Sequence, residues 1–228
     1  MNLEVITDNL GYFFVGAWPD GPVAGVALTI FLSLTSGIIS AVLGLVGGVG
    51  LTLLSGQLKT LLQVLLTFFR AIPVIMLIFW VYFLGPLAFG LDVPAIGAVV
   101  AALSLIGGAY LSHSVHAGIE ALPKGQWQAA SAMGLTKWQA LRLVILPQAL
   151  PAMAPSFINQ WVSLIKDTSL AYVIGVAELS FVATQINNRE IAYPAEIFLF
   201  AGLVYFVICT LLEALTVMLA KHHRRYAL

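Results

Sequence analysis

The chain alternates long apolar stretches with short breaks that contain polar residues, glycine or proline. Five stretches are long and apolar enough to cross a membrane, at residues 22–47, 58–88, 94–118, 152–180 and 195–220. A spanning helix needs about 20 such residues to cross a hydrocarbon layer about 30 Å thick. The second stretch is longer than a bilayer requires, and we expect Pro73 to kink it. The pattern predicts an all-α transmembrane protein of five helices, forming a single domain over residues 1–228.

The composition indicates the same environment. Hydrophobic residues make up 61% of the chain and charged residues 9%, with a mean hydropathy of +1.00. A typical soluble domain is about 45–50% apolar and about 25% charged, so lipid must be the solvent for much of this surface. The formal net charge of +0 gives no general attraction to nucleic acid, and we expect no nucleic-acid partner.

Lysine and arginine are unequally distributed between the two sides that five spans define. Basic residues accumulate on the cytoplasmic side of membrane proteins, which places the C-terminal segment 221–225 inside. Counting back through the spans brings four loop cations to the same side, namely Lys59, Lys124, Lys137 and Arg142. The other side then receives mainly acidic residues, Glu4, Asp8, Asp20, Asp92 and Glu190. We therefore expect the N-terminus outside and the C-terminus inside.

The connection between the third and fourth spans, residues 119–150, is too polar for lipid and long for a loop. Its alanine-rich first part favours a helix, and Gly134 suits the left-handed residue that ends one. Thr136 and Gln139 have the spacing of a capping box for a second helix, which we expect to end near Pro147 because the residue before a proline disfavours α geometry. Two roles remain open: the first helix lies in a groove of a partner, or the loop packs on its own bundle.

Several motifs resemble one protein family. Residues 128–135, Gln-Ala-Ala-Ser-Ala-Met-Gly-Leu, followed by Ile145-Leu146-Pro147, resemble the EAA loop of binding-protein-dependent ABC importer permeases. Further motifs resemble the polar amino-acid branch of that family, at residues 69–73, 107–110, 159–161, 165–170 and 174–179. Together they cover about residues 22–220. In two respects the chain departs from the pattern: Gln128 replaces the glutamate of the loop, and the first cytoplasmic connection lacks an arginine.

The resemblance implies a five-helix type I ABC importer permease fold with a cytoplasmic coupling-helix loop, in the bacterial inner membrane. Two permease subunits, of the same or different chains, would enclose the path along which the substrate crosses the membrane. A cytoplasmic ABC ATPase dimer would bind the loop, and a periplasmic binding protein would deliver a polar amino acid. The chain itself would be no enzyme and hold no cofactor, because ATP and Mg would bind to the ATPase. The coupling role falls on Gln128, Ala129, Ala130, Ser131, Ala132, Met133, Gly134 and Leu135.

Polar residues within the predicted spans are the candidates for the substrate path: Lys166, Asp167, Thr168, Ser169, Asn159, Gln160, Tyr110 and Arg70. A charge near the bilayer centre costs roughly 2.5–3.5 kcal/mol, so it usually faces a cavity or a partner. Lys166 and Asp167 are adjacent on a helix and do not pair well with each other. They either line a cavity whose two signs of charge suit a zwitterion, or bond to neighbouring helices and lock the bundle. Arg70 is either a cytoplasmic anchor or a gate.

Two other classes of protein remain open. A self-sufficient secondary amino-acid transporter is disfavoured, because such proteins commonly contain two related halves and the sequence shows no repeat. A non-transport membrane scaffold would not need the two-helix loop. The sequence has no G-x-x-x-x-G-K-[ST] phosphate loop, and its histidines lack the companions of a metal site. The motifs resemble glutamine-type and glutamate/aspartate-type permeases alike, so the exact amino acid stays open.

Overall fold

The computed structural model describes residues 3–90 and 92–226, and these form helices joined by short connections. In chain order they are α1 Glu4–Asp8, α2 Leu10–Val15, α3 Gly25–Leu53, α4 Gly56–Ala71, α5 Val74–Phe79, α6 Gly85–Phe89, α7 Ala95–Glu120, α8 Lys124–Ala132, α9 Lys137–Ala140, α10 Leu146–Asp167, α11 Leu179–Arg189 and α12 Pro194–Tyr226. Three further helical turns complete the chain: two π-helical, Trp80–Leu84 and Leu141–Ile145, and one 3₁₀, Thr168–Ile174. Among the described residues, β pairing is limited to two isolated bridges.

Four helical segments of the described chain are long and apolar enough to cross a membrane: Gly25–Leu53, Ala95–Glu120, Lys137–Ile174 and Pro194–Ala214. The pair Gly56–Ala71 and Val74–Ala88 makes a fifth if it is counted as one bent span. This assignment rests on length and composition. It confirms the all-α transmembrane architecture predicted from the apolar stretches.

The second predicted span is broken at Pro73 and not merely kinked. Ile72 and Pro73 have extended backbone, with ψ values of 133° and 135°, between α4 and α5. Proline causes the break because its ring disfavours α geometry at the preceding residue and its nitrogen has no hydrogen to donate. The last carbonyl groups of α4 therefore lack donors from the following turn.

The fourth span begins earlier than the sequence predicted. The helix does not end near Pro147, because α10 starts at Leu146 and contains Pro147, Pro151 and Pro155. The π-helical turn Leu141–Ile145 directly precedes Pro147, and a widened turn of this kind accommodates a proline ring that would otherwise meet the carbonyl four residues back. The expected helix start near residue 152 thus lies inside a continuous helical segment.

The chain forms two compact units. The first comprises the described residues of Met1–Gly37, Pro73–Leu103 and Trp161–Leu212. Its core joins α1 and α2 to α11 and the first half of α12 through buried apolar side chains, which include Val5, Ile6, Phe13, Val182, Ile186 and Ile197. The Tyr12 hydroxyl donates a 2.7 Å hydrogen bond to Gln185. The N-terminal helices are therefore an integral part of this unit.

The second unit comprises the described residues of Ile38–Ile72, Ser104–Gln160 and Glu213–Leu228. Its core connects α7 to the helical segment that begins with α9, through the buried side chains Val115, Ile119, Leu141, Ile145, Ala149 and Met153. The polar connection between the third and fourth spans is thus attached to a packed apolar base.

Glycines bring α3 and α7 into close contact within this second unit. A Cβ atom at Gly44 would overlap Leu111, and one at Gly48 would lie 2.5 Å from the Val115 Cβ. Small residues permit such close approach of helices in membranes, where packing is a main source of helix association. Gly44 and Gly48 therefore have a steric role in the contact between α3 and α7.

Candidate functional site

The connection between the third and fourth spans, residues 119–150, forms an elbow that contains the two helices α8 and α9. Its first helix, α8, ends in a Schellman motif: the Leu135 N–H donates to Ala130 O at 3.2 Å and the Gly134 N–H donates to Ser131 O at 3.0 Å. Gly134 has a φ of 79°, which residues with a Cβ rarely adopt. The predicted left-handed stop at Gly134 is confirmed.

The second elbow helix, α9, begins with a complete capping box. The Gln139 N–H donates to Thr136 Oγ1 at 3.3 Å, and the Thr136 N–H donates to Gln139 Oε1 at 2.9 Å. The two reciprocal bonds satisfy donors that a helix start leaves unpaired. The predicted capping box is therefore confirmed, and with Gly134 it fixes the backbone on both sides of the turn.

The elbow packs on its own bundle with one face and leaves the other exposed. Ala130 is fully buried, and Trp127 packs on the core that includes Ile119. Leu135 is half-buried, and the rest of the predicted coupling residues are exposed, namely Gln128, Ala129, Ser131, Ala132, Met133 and Gly134. Both roles left open by the sequence are compatible with this geometry, because anchoring and partner binding use different faces.

The charged motif in the fourth span lies where the helix changes type. α10 ends at Asp167 and continues as the 3₁₀ segment, in which the Thr168 and Ser169 hydroxyls donate to carbonyl oxygens three residues earlier, each at 2.6 Å. Lys166 is exposed, Asp167 is half-buried and Thr168 is buried. Neither Lys166 nor Asp167 forms an ion pair with another residue of the described chain. α5, which follows the break at Pro73, packs against this 3₁₀ segment.

Of the eight predicted path residues, the structure brings Arg70 and Tyr110 into contact. The Arg70 Cζ atom lies 5.0 Å from the centroid of the Tyr110 ring, and the Tyr110 hydroxyl donates to the Arg70 carbonyl oxygen at 3.5 Å. Asn159 and Gln160 belong to the same unit as this pair, whereas residues 166–169 are consecutive in the first unit. A role of these residues in a substrate path stays a prediction.

Glu178 is a buried polar residue that the sequence reasoning did not single out. Its side chain is 0% exposed and caps α11, accepting hydrogen bonds from the Ser180 and Phe181 N–H groups at 2.9 Å each and from the Tyr205 hydroxyl at 2.6 Å. The available signal was an acidic residue isolated in an apolar stretch, because such a group is almost never fully buried unless it is paired.

These observations first define a class: a multi-pass α-helical membrane protein with one broken span and a capped, partly exposed elbow between two later spans. The family described as "Binding-protein-dependent transport system inner membrane component" matches residues 35–225, and the chain belongs to this family. The family resemblance and the ABC importer permease fold predicted from the sequence are thereby confirmed. The chain is accordingly a multi-pass protein of the inner membrane.

Individual relatives agree with this assignment. The "Glutamate/aspartate import permease protein GltK" of Escherichia coli O157:H7 is 42% identical over 148 residues, which are 61% of this chain and 65% of that protein, so the chain spans just under two thirds of this relative's length. The "Probable glutamine ABC transporter permease protein GlnP" of Bacillus subtilis strain 168 is 34% identical over 86% of this chain and 92% of that protein.

Solved structures show the same fold. One is described as the crystal structure of an amino acid ABC transporter with histidines; its chain has a TM-score of 0.76 at 28% identity and covers 87% of this chain and 91% of its own. A second, the inward-facing MetNI methionine ABC transporter, has a TM-score of 0.75 at 22% identity over 87% of this chain and 94% of its own. The second supports the fold alone.

Proposed function

We propose that the chain is the membrane-spanning permease subunit of an ATP-driven importer of polar amino acids, in the glutamate, aspartate and glutamine class. The observation that carries the proposal is the elbow, in which a fixed turn presents an exposed helical face. The names of the GltK and GlnP relatives support the substrate class. Family membership favours this function over a secondary transporter or a scaffold.

The proposed complex contains three kinds of partner. A cytoplasmic ATPase dimer binds the exposed face of α8 and supplies the ATP and Mg sites, while this chain carries no cofactor and catalyses no reaction. Gln128 contributes hydrogen bonds and packing there, because its side chain carries no charge for an ion pair. A second permease subunit, of the same or a different chain, and an external amino-acid-binding protein complete the complex. This places the C-terminus and the elbow in the cytoplasm and the N-terminus outside.

The proposed path in the first unit runs along the segment from Lys166 to Ser169. An ammonium and a carboxylate that form no ion pair in the described chain suit the two charged groups of a zwitterion, since each would otherwise carry a desolvation cost. The change from α to 3₁₀ geometry separates the charged pair from the hydroxyl pair. In the second unit, Asn159, Gln160, Tyr110 and Arg70 are proposed as polar contacts for the substrate in their own right.

The elbow assignment is tested by Gly134→Val with Gly90→Val as a matched control. Both glycines have positive φ, 79° and 63°, and a Cβ at either would meet no atom within 4 Å. A side chain in the left-handed region costs roughly 1–2 kcal/mol, so the two variants carry similar strain on different connections. Uptake of labelled glutamate and glutamine and ATP hydrolysis are measured in proteoliposomes. We expect Gly134→Val to hydrolyse ATP without uptake and Gly90→Val to transport; normal uptake by Gly134→Val contradicts the coupling role.

A further inference from the structure

A stripe of tyrosine, histidine and glutamate side chains runs along α7, a spanning helix whose other residues are apolar, glycine or serine. We define the α7 stripe as Tyr110, His113, His116 and Glu120. Their spacings of three, three and four residues place them on one side of the helix, and ten residues from first to last correspond to about 15 Å. The Glu120 end leads into the elbow at Lys124. Ionisable residues within spanning helices commonly mark pathways of substrates or ions.

The half of the α7 stripe nearest the elbow is internally paired. His116 Nδ1 lies 3.0 Å from Thr52 Oγ1, and His116 Nε2 lies 3.3 Å from Glu120 Oε1. Both ring nitrogens of His116 thus have partners, and so does the one carboxylate of the stripe. This half requires no ligand.

At the other half of the stripe, near Tyr110 and His113, two polar groups lack a hydrogen-bond or ion-pair partner in the described chain. Arg70 rests on the Tyr110 ring through its charge, with Cζ 5.0 Å from the ring centroid, and no carboxylate of the described residues lies within ion-pair distance of it. His113 Nε2 is a buried atom without a hydrogen-bond partner in the described chain. His113 follows Tyr110 by three residues, one turn along the same side of α7. A planar guanidinium has five donors, and contact with a ring face leaves donors available at its edge.

The missing group is an anion with oxygen acceptors. Tyr110 lies about 15 Å along α7 from its Glu120 end, so a lipid phosphate is the other source of such an anion, and the lipid composition of the experiment below distinguishes the two. We propose that Arg70 and His113 bind the side-chain carboxylate of an acidic amino acid, with the Tyr110 ring holding the guanidinium in place. This inference rests on the proposed function and narrows its substrate to glutamate and aspartate. Arginine suits the task because its fork binds a carboxylate through two parallel bonds.

Equilibrium binding of radiolabelled L-glutamate and L-glutamine to the permease–ATPase complex tests the inference. The complex is placed in phosphatidylcholine nanodiscs without a binding protein, whose own selectivity would otherwise contribute. We expect Arg70→Gln to weaken glutamate binding by about tenfold or more and glutamine binding by no more than about threefold. Arg70→Lys keeps the charge without the fork and lowers the glutamate-to-glutamine ratio partially. His113→Leu lowers the same ratio.

Arg189→Gln is the matched control. Its guanidinium also lies 5.0 Å from a tyrosine ring centroid, that of Tyr12, but at a site outside the α7 stripe. We expect this variant to leave the glutamate-to-glutamine ratio of the wild type unchanged. Both ligands are measured on one preparation. A partial loss of folded protein therefore lowers the number of binding sites for both and leaves the ratio of their affinities unchanged.

Several outcomes overturn the inference. One is an unchanged ratio in both Arg70 variants, and another is a wild-type complex that binds no glutamate. A third is an Arg70 effect that appears only when phosphatidylglycerol is added and is equal for the two ligands, since the anion is then a lipid headgroup. Uptake of each amino acid with the binding protein present is measured in parallel. If the wild type takes up amino acids but the Arg70 variants keep the wild-type binding ratio, only this inference is wrong. If the wild type takes up neither amino acid, the proposed function is wrong as well.

Discussion

Replacing the two adjacent charges of the fourth span distinguishes a substrate path from a structural lock. Lys166→Ala and Asp167→Ala each remove a charge that forms no ion pair with the described residues. The local turn does not depend on these side chains, because the hydroxyls of Thr168 and Ser169 donate to backbone carbonyl oxygens that alanine retains. The structure therefore predicts a loss of transport without a comparable loss of stability.

The expected magnitudes separate the two possibilities. Removing one member of a tightly buried pair costs roughly 3–5 kcal/mol, because the remaining charge is stranded. Lys166 is exposed and Asp167 only half-buried, so we expect each alanine variant to change the free energy of unfolding by about 1 kcal/mol or less. Glu178→Ala provides the contrast. It removes a fully buried cap and the short hydrogen bond from the Tyr205 hydroxyl, which keeps only its 3.3 Å contact with Ser180 Oγ. The expected cost is about 1 kcal/mol for the lost hydrogen bond and about 1 kcal/mol for the cap.

Yield, melting temperature and amino-acid uptake are measured on the same purified preparations. We expect both Lys166→Ala and Asp167→Ala to melt near the wild type and to lose most of their uptake, while Glu178→Ala melts clearly earlier. Lys166→Arg should also transport poorly, because a planar fork does not replace a compact ammonium. If Lys166→Ala melts at as low a temperature as Glu178→Ala, the assignment of Lys166 to the substrate path is refuted. A stable variant with wild-type uptake would refute it as well.

Three further predictions concern topology and packing. Lys137→Cys in a Cys209→Ser background should resist an impermeant external thiol reagent in intact cells, and external labelling would reverse the proposed orientation. Gly48→Ala should destabilise the protein by about 1–3 kcal/mol, because the new Cβ overlaps α7. Gly202→Ala is the control and should be nearly neutral, since a Cβ there meets nothing within 4 Å. Equal melting temperatures of the two variants would contradict the steric role of Gly48. Thr136→Ala should cost about 1 kcal/mol as a lost cap, measured by thermal unfolding, and no change would mean that packing alone holds the elbow.

The sequence by itself determined the features that depend on short stretches of chain. Apolar stretches of more than 20 residues predicted the transmembrane architecture, because hydrocarbon thickness alone sets that length. Gly134 and the Thr136–Gln139 pair predicted the elbow turn, since left-handed backbone and capping depend on residues within one helical turn. The motifs of the elbow and the fourth span were sufficient to identify the family.

Only the tertiary structure decided the features that depend on residues distant in sequence. The contact of Arg70 with Tyr110 joins residues 40 apart in sequence, and the bond from Leu179 to Thr29, next to the Glu178 cap, joins residues 150 apart. Hydrophobic periodicity carries no information on such pairs. The helical course through Pro147 also escaped prediction, because a π-helical turn accommodated a residue whose local preference is to end a helix. Packing overrode local preference there, whereas at Ile72–Pro73 the preference prevailed and the span broke.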